Sequence, residues 1–297
     1  MTAYALTFVA NPDDKPAYRE ALLMLGRVAL NRKLPPPDVL SGWEAAEWEY
    51  PDVDGELRQE AAAAVAELPV DWALTPVGGR RKKLLIADMD STIINVECLD
   101  ELADFAGIKA EIAAITERAM RGELEFEPAL IERVGKLKGL ELDALQRCYD
   151  ERVQLNPGAY TLVKTMAANG ARCVLVSGGF SFFTSRVAKA AGFHEDRANT
   201  LLDDGKVLTG DVARPILGRE AKLAALRSEA VKLGVTPEDA LAIGDGANDL
   251  DMIKAAGLGI AYRAKPIVAA EAQAKIEHTS LASALFFQGY RRAEFAA

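Results

Sequence analysis

The sequence has few residues of the types that several common kinds of site require. Of its 297 residues only two are histidine, His194 and His278, and they lie far apart. The three cysteines, Cys98, Cys148 and Cys173, are odd in number and lack metal-ligand spacing. A histidine-dependent triad, a phosphohistidine or a zinc site is therefore not expected. Scattered thiols of this kind are typical of a reducing compartment.

Long apolar runs and an excess of positive charge are also missing. No apolar run reaches the roughly 20 residues of a membrane span, and the N-terminus lacks a basic region followed by an apolar core. The formal net charge is −9, whereas nucleic-acid phosphates select basic surfaces. We therefore predict a cytoplasmic protein without a nucleic-acid or membrane partner. Hydrophobic residues make up 50% of the chain, enough for the core of one large or two smaller domains.

The most informative stretch is 84–97, where an apolar run leads directly into acidic residues. Leu84–Ala87 is too short for a helix, and Asp88 and Asp90 follow it. This pattern predicts a buried parallel strand that ends in a site, as strands of open α/β sheets do. Two carboxylates this close need a cation or a shared proton, and a hard divalent ion such as Mg²⁺ accepts such ligands. Alone, the stretch is equally compatible with a polar turn that caps a helix.

Three further segments place polar residues in similar contexts. They are the apolar run 174–176 ending in Ser177 and Gly178, Lys222 near the start of a helical pattern, and the apolar run 240–243 leading to Asp245, Asn248 and Asp249. Glycine lets the backbone approach an anion closely, and the serine adds a donor. Because parallel strands end at one edge of a sheet, we expect these residues to meet in one crevice. The alternatives are helix caps at Ser177 and Asp249 and a solvated Lys222.

The order Asp-Xaa-Asp-Xaa-Thr, Ser-Gly-Gly, Lys and Gly-Asp-Gly-Xaa-Asn-Asp resembles the haloacid dehalogenase superfamily of phosphotransferases, and within it the phosphoserine phosphatase family. The resemblance extends from about residue 82 to about residue 285. It implies an α/β fold, a Rossmann-like parallel-sheet core with a small helical-bundle cap inserted after the first motif. Apolar spacing likewise predicts an all-helical insert over about 98–156. Strands and helices then alternate up to a strand at 257–261, followed by an irregular or helical tail.

The resemblance implies two-step hydrolysis of a phosphate monoester at a magnesium site. Asp88 would be the nucleophile that becomes a phosphoaspartate, and Asp90 the general acid and base. The expected Mg²⁺ ligands are Asp88, the backbone carbonyl of Asp90 and Asp245, with Asn248 and Asp249 behind them orienting Lys222 and the metal's water ligands. The groups expected to hold the non-bridging phosphate oxygens are Ser177, the Gly178 amide and Lys222.

Substrate recognition is expected from the cap and from the acid after the first motif. Glu97 matches an acid that binds the substrate, and Phe126 and Arg133 match a phenylalanine and an arginine of the family's cap, with Met120 just before. Glu97 can pair with an ammonium, and Arg133 can bind a carboxylate bidentately. Phe126 and Met120 can exclude water, and Asn248 is a further substrate-binding candidate. Ordinary core or surface positions are the alternatives.

Opposite charges of this kind suit a zwitterion, and the resemblance implies hydrolysis of O-phospho-L-serine, the last step of serine biosynthesis. One alternative is a phosphatase or phosphotransferase of the same fold that acts on another small phosphorylated amino alcohol or amino acid. Another is a low-turnover, phosphate-accepting binding module. A mere receiver, however, would not need both Asp90 and a cap.

Residues 1–79 lie outside the resemblance and predict a separate small α+β domain. Strands are predicted at 4–9, 43–50 and 71–77, and helices at 16–28 and 57–68. The pattern resembles the ferredoxin-like, amino-acid-binding regulatory modules that some phosphoserine phosphatases carry. No ligand motif occurs there, so a structural or dimerising role, as in a homodimer, stays open. Gly78, Gly79 and a basic run mark the predicted boundary with a phosphatase domain at 80–297.

Overall fold

The N-terminal part of the protein is an antiparallel sheet covered by two helices. A computed structural model describes residues 2–120 and 123–296, without the side chains of residues 117, 119 and 120. The first elements are β1 (Tyr4–Ala10), α1 (Lys15–Asn31), β2 (Asp38–Ser41), β3 (Ala45–Tyr50), α2 (Leu57–Ala64) and β4 (Val70–Pro76). The strand order is β2-β3-β1-β4 with antiparallel neighbours. This βαββαβ order is the ferredoxin-like arrangement.

Three details of the N-terminal part differ from the sequence expectation. Strand β2 was not expected, because it is short and follows three prolines. The strand expected from residue 43 begins at Ala45, because Trp43 takes a left-handed φ of 63° in the turn. The helix expected to reach residue 68 ends at Ala64, where Val65 leaves the helical geometry with a φ of −119°.

The cap is an all-helical insert after the first strand of the second part, as the sequence predicted. After β5 (Leu84–Ala87) the chain leaves the sheet and forms four helices before it returns. They are α3 (Cys98–Phe105), α4 (Lys109–Met120), α5 (Phe126–Lys136) and α6 (Leu142–Arg152). Ala103, Ile112, Ile115 and Ala129 form a small apolar cluster between three of them. The helices therefore hold each other as a bundle above the core.

The core is a six-stranded parallel sheet with helices packed against it, which confirms the predicted fold class. After the cap the chain forms α7 (Ala159–Ala168), β6 (Arg172–Phe180), α8 (Ser181–Ala191), β7 (Glu195–Asn199), β8 (Leu201–Asp203), β9 (Leu208–Val212), α9 (Arg219–Leu233), β10 (Ala240–Gly244), α10 (Leu250–Ala255), β11 (Leu258–Tyr262), α11 (Pro266–Glu271), β12 (Ala274–Ile276) and α12 (Ser283–Phe287). The strand order is β12-β11-β10-β5-β6-β7. Strands β10, β5 and β6 are therefore neighbours. Asp245 and Asp88 directly follow β10 and β5, and Ser177 and Gly178 lie among the last residues of β6.

Two strands of the core were missed by the sequence expectation. The segment of β12 lies in the expected irregular tail, and three residues are too few for a recognisable period. Strand β7 reads Glu-Asp-Arg-Ala-Asn, without the apolar residues that usually indicate a strand. Both are edge strands of the sheet, where packing demands are lower.

The N-terminal sheet is packed between its own helices and the core. One face packs on α1 and α2, and the other contributes Val9, Leu40 and Ala73 to the cluster that contains Phe286 and Phe287. The domain boundary at residue 79 stays a prediction. Among residues 2–120 and 123–296, no helix combines the length and the apolar character needed to traverse a bilayer.

Candidate active site

The loop after β5 places two carboxylates at the same edge of the sheet. The Asp88 amide donates to the Ile243 carbonyl of neighbouring β10 at 3.0 Å, which extends the sheet pairing by one residue. Ser91 then takes a left-handed φ of 56°, and the Ile94 amide donates back to the Met89 carbonyl at 3.0 Å. This tight loop keeps Asp88 buried while Asp90 stays partly accessible.

Lys222 lies between two carboxylates beneath this loop. Its Nζ donates to Asp88 Oδ1 and to Asp249 Oδ1, each at 2.5 Å, and only 2% of the lysine is exposed. Burial by itself would lower the pKa of Lys222, but the Asp249 and Asp88 carboxylates outweigh it and raise that pKa. Burial raises the pKa of Asp88, and the negative charges of Asp249 and Asp90 add to this, against the effect of Lys222. The lysine therefore stays charged but does not fully compensate the acids around it.

Asp245 completes a group of carboxylates that fits a divalent cation. Oxygens of Asp88, Asp245 and Asp249 lie within 4.8 Å of one another. Burial, followed by the Asp249 charge, raises the pKa of Asp245 to about 6, and the Thr92 hydroxyl donates to Asp245 Oδ1 at 3.2 Å. Hard oxygen donors beside uncompensated negative charge suit Mg²⁺. Asp249 is committed to Lys222 through one oxygen and to the Gly246 amide, at 3.0 Å, through the other, so Asp88 and Asp245 are the more available ligands.

Asp90 is oriented by two donors that approach its two oxygens. The Cys98 amide donates to Oδ1 at 2.9 Å, and the Ser177 hydroxyl donates to Oδ2 at 3.1 Å. Ser177 also accepts from the Gly179 amide at 2.8 Å. Burial raises the pKa of Asp90, and the Cys98 donor partly opposes that shift. A carboxyl held in place with a raised pKa can both give and take a proton.

The cap brings the expected recognition residues towards the same cleft. The Ser91 hydroxyl donates to Glu97 Oε1 at 2.6 Å, while burial within the cleft and then the Asp90 charge raise the pKa of Glu97 to about 7. The Arg133 guanidinium, whose Nε donates to the Ala129 carbonyl at 3.2 Å, lies within electrostatic range of Glu97. Although surrounding protein atoms desolvate the carboxylate, the Glu97 residue is exposed to solvent, so a ligand can reach it.

Phe126 lies at the start of α5 and packs against the core. A Cβ built on Gly178 would lie 3.2 Å from the Phe126 ring, and one on Gly218 would lie 3.4 Å from it. A side chain at Gly178 would therefore press on the ring, whereas one at Gly218 would make an ordinary contact with it. The side chain of Met120, predicted to bind substrate, lies outside the described residues. Asn248 folds over Gly246 at the end of β10, and the structure assigns it no hydrogen-bond partner among the described residues.

Two asparagines that the sequence analysis did not identify hold the site together. Asn199 donates to the carbonyls of Gly178 (2.8 Å) and Leu217 (3.2 Å) and accepts from the Leu217 amide at 2.7 Å. It thereby ties the Ser177–Gly178 turn to the segment that leads into the helix of Lys222. Asn156 likewise bonds the chain beside Thr92. Neither belongs to a motif, so the only sequence signal was an asparagine next to a strand end or a proline.

Comparison with known proteins gives consistent matches. The sequence model of haloacid dehalogenase-like hydrolases matches residues 85–254. The chain is 46% identical over 204 residues to a phosphoserine phosphatase of Polaromonas sp., covering 67% of this chain and 86% of that one. A crystal structure of a probable phosphoserine phosphatase from Vibrio cholerae, unliganded, matches with a TM-score of 0.76 and 30% identity over 98% of this chain and 88% of that one. A structure described as a phospho-aspartyl intermediate analogue of phosphoserine phosphatase matches with a TM-score of 0.64 and 40% identity over 69% of this chain and 98% of that one.

Proposed function

Because this chain belongs to the haloacid dehalogenase-like hydrolase family, we propose that it is a phosphoserine phosphatase, which hydrolyses O-phospho-L-serine to L-serine and phosphate. The similar proteins named above carry that activity in their names. The observation that carries the proposal is the pairing of a buried nucleophile candidate, Asp88, with Lys222. It stands together with the oppositely charged Glu97 and Arg133, which lie within electrostatic range of each other.

In the first step an oxygen of Asp88 attacks phosphorus, and the bond from phosphorus to the serine oxygen breaks. Asp90 gives its proton to the departing serine oxygen, which leaves as the alcohol. Lys222, Ser177 and the Gly178 amide hold the non-bridging oxygens, where negative charge has to be stabilised. The products of this step are L-serine and a phosphoaspartate at Asp88.

In the second step Asp90, now a carboxylate, takes a proton from water. The water oxygen attacks phosphorus, the bond from phosphorus to the Asp88 oxygen breaks, and inorganic phosphate leaves. Asp90 is protonated again and Asp88 is free, so the cycle closes without any other reactant. The raised pKa of Asp90 suits both proton transfers, because a carboxyl group that holds its proton more tightly can both give a proton and take one back.

Asp88, Asp245 and the Asp90 carbonyl are the residues that we assign to Mg²⁺. When bound, the ion neutralises charge between the phosphate and the carboxylates. The raised pKa values of Asp88 and Asp245 support this assignment, since nearby positive charge does not fully compensate either carboxylate.

Glu97 and Arg133 bind the amino-acid part of the substrate in this proposal. Glu97 pairs with the ammonium and Arg133 with the carboxylate, while Phe126 and Met120 exclude water.

A place in the last step of serine biosynthesis follows from the products. Cytoplasmic location rests on the three free, buried cysteines, and a homodimer stays a prediction that light scattering can test.

The test is phosphate release from L-phosphoserine, compared with phosphothreonine, phosphocholine and sugar phosphates, with Mg²⁺ and with chelator. We expect selective, metal-dependent release from phosphoserine that Asp88→Asn abolishes. Asp251→Asn is the matched control, because that aspartate lies on the surface and pairs with Arg219. Metal-dependent release from another ester alone would overturn the substrate and keep the mechanism. No release from any ester would favour a phosphate-accepting module.

A further inference from the structure

The N-terminal domain holds a turn of the core through one buried aspartate. Asp71 of β4 is 3% exposed. Its Oδ1 accepts from the amides of Glu277 (2.8 Å) and His278 (3.2 Å), and its Oδ2 accepts from the Thr279 amide (2.9 Å) and hydroxyl (2.5 Å). A buried carboxylate is costly unless donors surround it, and here four donors do. The 277–282 turn, which consists of residues 277 to 282, is therefore fixed to the N-terminal sheet.

The same turn is packed against the chain that leaves the cap. The Leu281 amide donates to the Pro157 carbonyl at 2.9 Å. Gly158 has a φ of 82°, and a Cβ there would lie 2.5 Å from the Ala282 nitrogen and 2.8 Å from Ser280 Oγ. The 277–282 turn and the cap's second linker, residues 153–158, therefore touch backbone to backbone. A shift of the turn has to move the linker.

The second linker is in turn bonded to the loop that carries the site. Asn156 Nδ2 donates to the carbonyls of Thr92 (2.8 Å) and Ile94 (2.9 Å), and its amide donates to the Ile93 carbonyl at 2.8 Å. Thr92 itself contacts Asp245. The contacts thus run without a gap from Asp71 to the Mg²⁺ site and pass through the point where the cap joins the core.

We propose that Asp71 is a positioning residue for the cap, and that the N-terminal domain acts on the reaction by fixing the 277–282 turn beneath the second linker. The simpler interpretation is a clasp between domains. Thr75 separates the two interpretations, because its hydroxyl donates to the Phe287 carbonyl at 3.1 Å across the same interface but does not touch the 277–282 turn. A clasp would respond alike to losses at Asp71 and Thr75.

The experiment compares Asp71→Asn with Thr75→Val, two nearly isosteric changes in the full chain. Amide hydrogen exchange is measured over 91–97, 153–158 and 279–282, together with KM and kcat for phosphoserine. Asp71→Asn is expected to speed exchange about tenfold in 91–97, which is the cap's first linker, and in the second linker, since the local opening becomes easier. It is also expected to raise KM several-fold with a smaller change in kcat. Thr75→Val is expected to leave both unchanged.

Thr279→Val removes one donor to Asp71 from the opposite side and serves as the second variant if Asp71→Asn does not fold. It should show the same exchange pattern more weakly, and the double variant should add little, because both changes act on one contact. Equal linker exchange in the Asp71 or Thr279 variant and in Thr75→Val would overturn the proposal. The kinetic part of the experiment rests on the proposed function, but the hydrogen exchange does not. If phosphoserine is not hydrolysed, hydrogen exchange alone still tests whether Asp71 positions the linker.

Discussion

The two larger sheets of this protein have strands of similar length but differ in which side chains they bring together. The antiparallel sheet alternates its strand directions, so the ends that meet at one edge alternate between amino and carboxyl ends. The parallel sheet points the ends of β10, β5 and β6 the same way, and Asp245, Asp88 and Ser177 meet there. Strand direction, more than composition, therefore decides where charge is concentrated. Substitution of a charged residue at this edge of the parallel sheet should therefore change activity and stability more than substitution of an exposed charged residue elsewhere.

Removal of the divalent ion should have the largest effect, because it leaves the cluster of acids uncompensated. We expect chelator to reduce phosphate release to background and Mg²⁺ to restore it. At about 100 times the dissociation constant, Mg²⁺ should stabilise the fold by about 2.7 kcal/mol, and Asp245→Asn should remove most of this gain. Thermal unfolding with and without Mg²⁺ measures it. A melting temperature that rises equally in Asp245→Asn would place the ion elsewhere.

Lys222→Met should come next, since it leaves Asp88 and Asp249 buried without their cation. We expect a loss of roughly 10²- to 10³-fold in kcat, as for other groups that stabilise the transition-state charge, and about 3–5 kcal/mol of destabilisation. Lys232→Met is the matched control on the same helix. That lysine is exposed, and its partner Glu229 keeps Arg172 and Arg197, so less than about 1 kcal/mol is expected. Urea titrations measure the stability of the two variants and initial rates measure their activity. Similar losses of stability and activity in Lys222→Met and Lys232→Met would contradict this prediction.

Arg133→Ala should affect binding more than chemistry. A charge-assisted bidentate contact of about 1.5–3 kcal/mol corresponds to a roughly 10- to 100-fold rise in KM for phosphoserine. Phosphoethanolamine lacks the carboxylate, so its KM should barely change. Arg147→Ala, on an exposed face of the cap, is the control for general effects on the cap. Equal rises in KM for the two substrates would exclude the carboxylate contact.

Glu97 should produce the smallest effect, a dependence on pH. Its pKa of about 7 means that it becomes an anion only as the pH rises through that value. KM for phosphoserine should therefore fall several-fold between about pH 6 and pH 8, as one group ionises. In Glu97→Gln, KM should be higher and should depend less on pH. Steady-state kinetics across that window are the measurement, and an unchanged slope in Glu97→Gln would assign the dependence to another group.

The same residue gives a matching prediction for stability. Folding raises the pKa of Glu97 from its ordinary value of 4.5 to about 7, so the unfolded chain loses this proton first as the pH rises. Ionisation of Glu97 therefore does not change the free energy of unfolding below pH 4.5, and it lowers that free energy by its full amount above about pH 7. Glu97→Gln should raise the melting temperature at pH 8 and leave it nearly unchanged near pH 4.5, as thermal unfolding at the two pH values would measure.

The sequence predicted the parallel core because its signals are local. An apolar run followed by Asp88, Ser177 or Asp245 carries both the strand and its polar end within ten residues. Positions such as Asp71 and Asn199 could not be recognised in the same way. Their partners lie 206 residues away for Asp71 and Glu277, and 21 for Asn199 and Gly178, so only the folded chain shows that they act together.

The short edge strands were hidden for a related reason. Strand β7 owes its place to ion pairs rather than to apolar residues, since Arg197 bonds to Glu195 and Glu229 and Arg172 joins both acids. An alternation of charges in sequence is typical of a solvated loop. Its partner acid on α9 becomes apparent only when the sheet forms.

Phe126 packs between Gly178 and Gly218, so each turnover depends partly on a movement of the cap. The ring rests on the same segment whose amide is assigned to the phosphate, so we expect the cap to move away from this segment when phosphate leaves. Hydrogen bonds of Asn95, Gln154 and Asn156 join residues 92–95 to residues 154–156 side by side. We therefore expect the opening movement to be a rotation about this joint. The rate at which products leave then depends on bending at this joint. Solvent viscosity opposes large movements but not proton transfers. Higher viscosity should therefore slow product release and leave the chemical steps unchanged.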